Sequence, residues 1–449
     1  MDENELVWRW DEAGADSRTA AVFASDGQIL RTRGDIEAES RRFECLLEGE
    51  GVVGVQTGNH AGLPALLLAC WRSGRAVCLL DPQVSGGRLE RLERALGVSA
   101  RVSAGSAGLD FAPLANPPVP VPPGVCLFKL TSGTTGEPKA IGFKASQLAA
   151  DCDQVCETMG IGGSDLNFGL IPFSHSYGFS NLVTPLICRG IPMVASGDGL
   201  PRAVESALHS TRASVLPMVP AMFRALLSLG GLPGCVRLCV SAGAPLDPSL
   251  AMEFHAKFGR KIHSFYGASE CGGICFDDSP EIVEEAGYVG KPLAGVRIDW
   301  IEKPSGSGAR ICVRSEAVGE RVSEEAGSFI PQDLLVPHRD GYRIIGRESD
   351  FINVAGQKIH PAAIEEVLRN IAGVSEVFVF SRTGGARGEE ICAAIAGKPA
   401  ISAEQIRSHC AFSMPPLLTP RRILIFDEIP RNHRGKYDRE FLLRVSRSE

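Results

Sequence analysis

Leu130-Thr131-Ser132-Gly133-Thr134-Thr135-Gly136-Glu137-Pro138-Lys139 continues from a mostly apolar run, residues 125–130, and precedes another, residues 140–143. Each run reads as a short strand, so the ten residues form a loop between strands. Glycines at 133 and 136 let successive backbone N–H groups converge on an anion. The hydroxyls of Thr131, Ser132, Thr134 and Thr135 add donors, and Lys139 adds a fixed positive charge. A P-loop would need G-x-x-x-x-G-K-[ST], whereas here Pro138 precedes the lysine and Ala140 follows it. The stretch is a phosphate cradle of another design.

Outward from this loop the pattern is α/β. Downstream, Ser146 is expected to open a helix that places Leu148, Cys152, Val155, Cys156 and Met159 on one face. Upstream, residues 113–124 carry six prolines in twelve and can be neither helix nor central strand. This connector is expected to divide a first subdomain, about 1–123, from a second, about 124–286. Strands at 52–56 and 76–80 flank a helix at 64–72 in the first. Strands at 193–195, 214–218, 236–241 and 261–266 alternate with helices at 202–209, 221–229 and 249–258 in the second. Such alternation predicts two doubly wound parallel sheets. Shorter strands with turn signals at Ser305-Gly306 and Asp340-Gly341 then suggest a small β subdomain over 287–348. The last hundred residues read β-β-α-β-β-α-β, with helices at 362–371 and 403–412, as a separate α+β domain. The expected division is 1–349 and 350–449.

Composition bounds the function. The chain has 449 residues, 44% hydrophobic and 22% charged, which suits a large soluble protein of several folding units. Its 50 glycines and 29 prolines exceed the usual share without reaching the ~25–30% of low-complexity chains. A net charge of −7 argues against general attraction to nucleic acid or anionic lipid. The longest uncharged apolar stretch, 63–71, is far below the ~20 residues of a membrane span. Acidic residues 2, 3, 5 and 11 stand where a secretory signal would be basic and apolar, so a cytoplasmic protein is expected. Fourteen cysteines lack the C-x2-C spacing of zinc sites, and the nine histidines form no H-E-x-x-H pair.

Five ordered motifs resemble those of the adenylate-forming enzymes: acyl- and aryl-CoA synthetases, peptide-synthetase adenylation domains and luciferases. The loop resembles their T-S-G-T-T-G-x-P-K, with Ala140 where a glycine is usual. Pro172-Phe173-Ser174-His175-Ser176-Tyr177-Gly178 is similar to P-x-x-H-x-x-G, and Phe265-Tyr266-Gly267-Ala268-Ser269-Glu270 to Y-G-x-T-E. Gly346-Arg347-Glu348-Ser349-Asp350 through Gly356 resembles the G-R-x-x-D hinge segment, and Pro430 through Lys436 the P-x-T-x-x-G-K.

The resemblance implies that ATP and a small carboxylic acid form an acyl-adenylate and pyrophosphate. The acyl group then passes to the thiol of CoA or of a carrier protein's phosphopantetheine. Both reactants of the first step are anions, so cations must converge without blocking in-line attack. Lys436 matches the lysine that bridges substrate carboxylate and α-phosphate, Ser269 an α-phosphate donor, and Glu270 the Mg²⁺ ligand. His175 matches the residue at the mouth of the acyl pocket. Tyr266, Gly267 and the stretch Ser241, Ala242, Gly243, Ala244 and Pro245 match the adenine surround; Asp333 and Arg347 match ribose contacts, although Pro331-Gln332 replaces the family's Thr-Gly. Gly356 matches the glycine that lets a pantetheine arm pass, and rotation of a C-terminal lid about Ser349 or Asp350 would exchange the two half-reactions. No acid lies between Asn167 and Arg189, where amino-acid-activating members carry an aspartate, and the wall formed by 241–243, 267–268 and 271–272 is small and uncharged. An aliphatic or aromatic acid is expected rather than an α-amino acid. The other reading is a catalytically idle nucleotide- or acyl-binding relative, since the chain is shorter than is usual in the family.

Overall fold

The computed structural model describes residues 4–13, 16–47, 49–106, 108–131, 139–304, 308–348, 352–354, 357–359, 361–385, 388–397, 401–431 and 437–447. The chain forms two compact units, one of Met1–Asp299, Cys312–Pro331 and His338–Tyr342, the other of Trp300–Ile311, Gln332–Pro337 and Arg343–Glu449. The expected boundary at Ser349 and Asp350 lies outside the described residues.

The first unit contains two large sheets, as well as a small one of Arg297–Trp300, Ile311–Arg314 and Ser328–Phe329. In one, the strands run in the order Gly108–Pro113, Val98–Gly105, Val52–Gln56, Val77–Leu79, Val125–Thr131 and Lys139–Lys144. The inner strands are parallel and both edges antiparallel. In the other, Ile262–Ala268, Leu238–Ser241, Val215–Met218, Asn167–Gly169, Met193–Ala195 and Ala20–Phe23 lie side by side, all parallel. After Met193–Ala195 the chain crosses over and places Val215–Met218 on the opposite side of Asn167–Gly169. Such a reversal opens a crevice at the carboxyl ends of the strands, where ligands of α/β proteins bind.

The doubly wound α/β reading holds, but the proline connector does not divide the sheets. The strands on its far side, Val125–Thr131 and Lys139–Lys144, extend the first sheet, and the early strands Ala20–Phe23 and Ile29–Thr32 join the second. The extended connector changes chain direction without ending a core. Helix Leu63–Arg72 is buried over nearly its whole length, and helix Ala145–Met159 buries Leu148, Cys152, Val155, Cys156 and Met159. Both belong to one apolar cluster that also holds side chains of both sheets, such as Val53 and Val240. Helix Ala145–Met159 starts one residue earlier than expected: Gln147 Oε1 reaches back to accept the Lys144 N–H at 2.8 Å, so Ser146 is not the cap.

In the second unit, Ile352–Val354, Gln357–Ile359, Val374–Gly385, Gly388–Gly397 and Arg422–Phe426 form a mixed sheet. Val377 and Val379 pack with Ile364, Leu368, Ile406 and Cys410 of helices Pro361–Arg369 and Ala403–Ser413. Phe378 and Phe380 face the other way, toward Leu442. Leu442 belongs to a final helix, Arg439–Arg447, that the sequence reading missed because basic residues crowd its apolar positions. Among the described residues, no helix is long and apolar enough to cross a membrane.

Candidate functional site

In the first unit the expected site residues follow the carboxyl ends of strands. Thr131 ends its strand opposite Lys139, which is exposed, and its hydroxyl donates to the Lys139 carbonyl at 3.5 Å. The loop they close, with Ser132, Gly133, Thr134, Thr135 and Gly136, lies outside the described residues.

Beyond Asn167–Gly169 the chain turns through Pro172, whose carbonyl accepts the His175 N–H at 3.1 Å. Gly178 is needed there because a Cβ would stand 2.2 Å from the Pro172 carbonyl oxygen. His175 is half-buried at the start of a helical turn that continues as a π-turn, Phe179–Val183. Tyr177 fastens this turn to the neighbouring motif: its hydroxyl donates to the Val240 carbonyl at 2.8 Å, and its ring lies 5.8 Å from that of Phe265. Burial raises the Tyr177 pKa well above its ordinary value, so the phenol stays a donor.

Strand Leu238–Ser241 ends at Ser241, followed by exposed Gly243 with φ +82°, half-buried Ala244 and exposed Pro245. The next strand pairs antiparallel with Gly272–Phe276, matching Tyr266 to Cys275, Gly267 to Gly273 and Ala268 to Gly272. Ser269 and Glu270 therefore sit at a hairpin tip, both half-buried, while Tyr266 is buried. The Glu270 carbonyl accepts the Gly319 N–H at 2.9 Å, which fixes the tip. Gly267 is confined because a Cβ would meet the Gly272 carbonyl oxygen at 2.7 Å.

Among the described residues, two buried hydroxyls border this arrangement with no hydrogen-bond partner there, Ser174 Oγ and Ser241 Oγ. Buried polar atoms are ordinarily paired, so both are suited to a bound ligand. Glu270 suits a hard cation such as Mg²⁺, which takes one or two carboxylates plus phosphate oxygens. Among the described residues no three His, Cys, Asp or Glu side chains are grouped to hold a metal by themselves.

In the second unit, Asp333 opens strand Asp333–His338 and Arg347 ends Gly341–Arg347. Arg347 Nε donates to Asp333 Oδ1 at 2.9 Å, so these two expected ribose contacts are brought together. In the same unit Arg382 pairs with Glu390 and Arg431 with Glu376. Lys436 and Gly356 lie outside the described residues.

The family model for AMP-binding enzymes matches residues 97–321, and that for the AMP-binding enzyme C-terminal domain matches 363–436. The chain belongs to the AMP-binding enzymes. It is 29% identical over 351 residues to a sulfoacetate–CoA ligase of Cupriavidus necator, covering 73% of this chain and 68% of the relative. It is 26% identical over 318 residues to a 3,4-dihydroxybenzoate–[aryl-carrier protein] ligase of Bacillus anthracis, covering 70% and 73%. The ATP-bound crystal structure of MatB from Rhodopseudomonas palustris has the same fold, with a TM-score of 0.85 at 21% identity over 99% of both chains.

Sequence reasoning missed two residues of this AMP-binding enzyme that the fold brings to the motifs. Asn59, just beyond strand Val52–Gln56, donates to the carbonyls of Gly169, Ile171 and Ser196 at 2.9–3.1 Å and accepts the Phe173 N–H at 2.8 Å. It holds the turn that carries His175. Asp151 is the second: its Oδ1 accepts the Gly273 N–H at 2.9 Å, and a Cβ on Gly272 would stand 2.1 Å from that oxygen. The signal was a carboxylate beside the apolar stripe of helix Ala145–Met159.

Proposed function

We propose that this AMP-binding enzyme activates a small carboxylic acid with MgATP to an acyl-adenylate and transfers the acyl group to the thiol of CoA. The observation that carries the reading is the meeting of three motif segments at one strand-crossover crevice, bordered by the unpartnered hydroxyls of Ser174 and Ser241.

In this reading the loop from Thr131 to Lys139 neutralises the phosphate tail and Ser269 donates to the α-phosphate. Tyr266 and the 241–245 stretch receive adenine, and Asp333, oriented by Arg347, accepts the ribose hydroxyls. Glu270 would hold Mg²⁺, which would supply positive charge to offset that of the phosphates. Lys436 brings the attacking carboxylate to the α-phosphorus, and His175 borders the entry to the acyl pocket. Gly356 leaves room for the pantetheine arm in the second step. The relatives named for sulfoacetate and for 3,4-dihydroxybenzoate support an acid without an α-ammonium group.

Asp151 does not reverse that expectation. Its carboxylate already accepts the Gly273 N–H and the Ser180 hydroxyl, and Lys129 is close enough to interact with it electrostatically. An ammonium group entering a pocket without a counter-charge costs several kcal/mol. The test is acid-dependent ATP–pyrophosphate exchange across sulfonated and plain aliphatic acids, benzoates and α-amino acids, followed by CoA thioester formation with the best acid. Exchange with α-amino acids alone would refute the substrate class, and exchange with no acid would refute the activity.

A further inference from the structure

One buried carboxylate gathers the chain segments that carry the expected adenylation residues. Asp151 is 2% exposed and Lys129 4%. Asp151 Oδ1 accepts the Gly273 N–H at 2.9 Å, in the strand that returns from the Glu270 hairpin tip. Asp151 Oδ2 accepts the Ser180 hydroxyl at 2.5 Å, in the π-turn that follows His175. Lys129, two residues before Thr131, places Nζ 3.5 Å from Ser180 Oγ and 4.6 Å from the centre of the Phe143 ring. Burial lowers the Lys129 pKa, while Asp151 and Cys271 favour its charged form.

Stability alone gives little reason to keep such a group. Replacing a buried ion pair by apolar side chains of similar volume is often neutral or stabilising, whereas removing one partner is costly. Lys129 interrupts an otherwise apolar strand and Asp151 sits within a buried helix face. Gly272, at φ +72°, has the one side chain that lets the hairpin approach the carboxylate this closely. The Gly319 N–H holds the hairpin at Glu270 itself, and Asp151 holds it three residues later.

We infer that Asp151, paired with Lys129 through Ser180, is a positioning residue: it sets the Glu270 hairpin tip relative to the segments bearing His175 and Thr131, and so governs how well Glu270 holds Mg²⁺. This rests on the adenylation reading for the role of Glu270 but not for the anchoring.

The experiment compares two charge-free double variants of the full chain. Lys129→Met with Asp151→Asn keeps an acceptor for the Gly273 N–H; Lys129→Met with Asp151→Leu removes it. Hydrogen exchange of a peptide containing Gly273 should be faster in the leucine variant than in the asparagine variant at equal melting temperature. The Mg²⁺ concentration for half-maximal pyrophosphate exchange should rise about tenfold in the leucine variant, with a rate loss on the order of 10–100-fold, and the asparagine variant should recover most of both. Unchanged protection at Gly273 in the leucine variant would overturn the anchoring. Faster amide exchange with wild-type Mg²⁺ dependence and rate would overturn the positioning. Should the leucine variant fail to fold, loss of protection at Gly273 in Ser180→Ala, which loosens Asp151, supports the anchoring, and wild-type protection there overturns it. Absence of pyrophosphate exchange in the wild type with every acid would fall on the functional reading, and the Gly273 amide would still decide the anchoring.

Discussion

Gly272→Ala should be much more damaging than Gly160→Ala, although both glycines have left-handed backbone, φ +72° and φ +60°. Gly160 caps the helix Ala145–Met159 and would meet nothing within 4 Å of an added Cβ, so its variant bears only the conformational cost, about 1–2 kcal/mol. At Gly272 the added Cβ would lie 2.1 Å from Asp151 Oδ1 and 2.4 Å from its Cγ, inside van der Waals contact with a buried carboxylate. The hairpin or the carboxylate must withdraw, and the hydrogen bond from the Gly273 N–H is lost. A hydrogen bond to a charged group contributes about 1.5–3 kcal/mol, so the total is about 2.5–5 kcal/mol. At roughly 2 °C per kcal/mol, the low end for a large unit, melting should fall about 5–10 °C for Gly272→Ala and about 2–4 °C for Gly160→Ala. Differential scanning calorimetry of the two variants measures this directly. Equal losses would mean that the hairpin does not depend on its approach to Asp151, and the reasoning would fail.

Three other outcomes are expected. Lys436→Ala should lower pyrophosphate exchange by on the order of 10²–10³ while sparing thioester formation from supplied acyl-adenylate, because in the proposed mechanism its charge serves only the first step; the two half-reactions assayed separately check this. Asp333→Ala should raise the KM for ATP by about 10–100-fold with a smaller effect on kcat, and Arg347→Ala should do so more weakly, as measured by initial rates at saturating acid. Asp165 supplies a pH dependence. Burial alone would raise its pKa, but the Arg237 guanidinium, the Gly162 N–H and the Ser214 hydroxyl outweigh this and hold it below the ordinary aspartate value. The carboxylate therefore stabilises the fold fully above the unfolded value of about 3.9, and the contribution is lost as pH falls through the depressed folded value. Denaturation of wild type and Asp165→Asn from pH 7 downward should show curves that converge in acid; a constant gap would contradict the assignment.

The sequence by itself determined the fold class and most of the motif residues, because both depend on local rules. Alternating apolar runs and helical stripes report which faces are buried, and a loop such as 131–139 needs glycine, hydroxyl and lysine within a few residues. The anion-binding chemistry expected of that loop is read from adjacent positions. Residues such as Asp333 and Arg347 were legible through their motifs, but their 2.9 Å pairing appeared only when two strands were folded together. Other features depended wholly on distant partners. Strand Ala20–Phe23 lies beside Met193–Ala195, Asn59 holds the Phe173 turn, and Asp151 meets Gly273. Periodicity shows that a side chain is buried; it does not show which other buried group it faces. Lys129 and Asp151 would each be a costly charge in an apolar segment, and only the tertiary structure, by placing Ser180 and the Gly273 N–H between and beside them, gives the pair a physical reason.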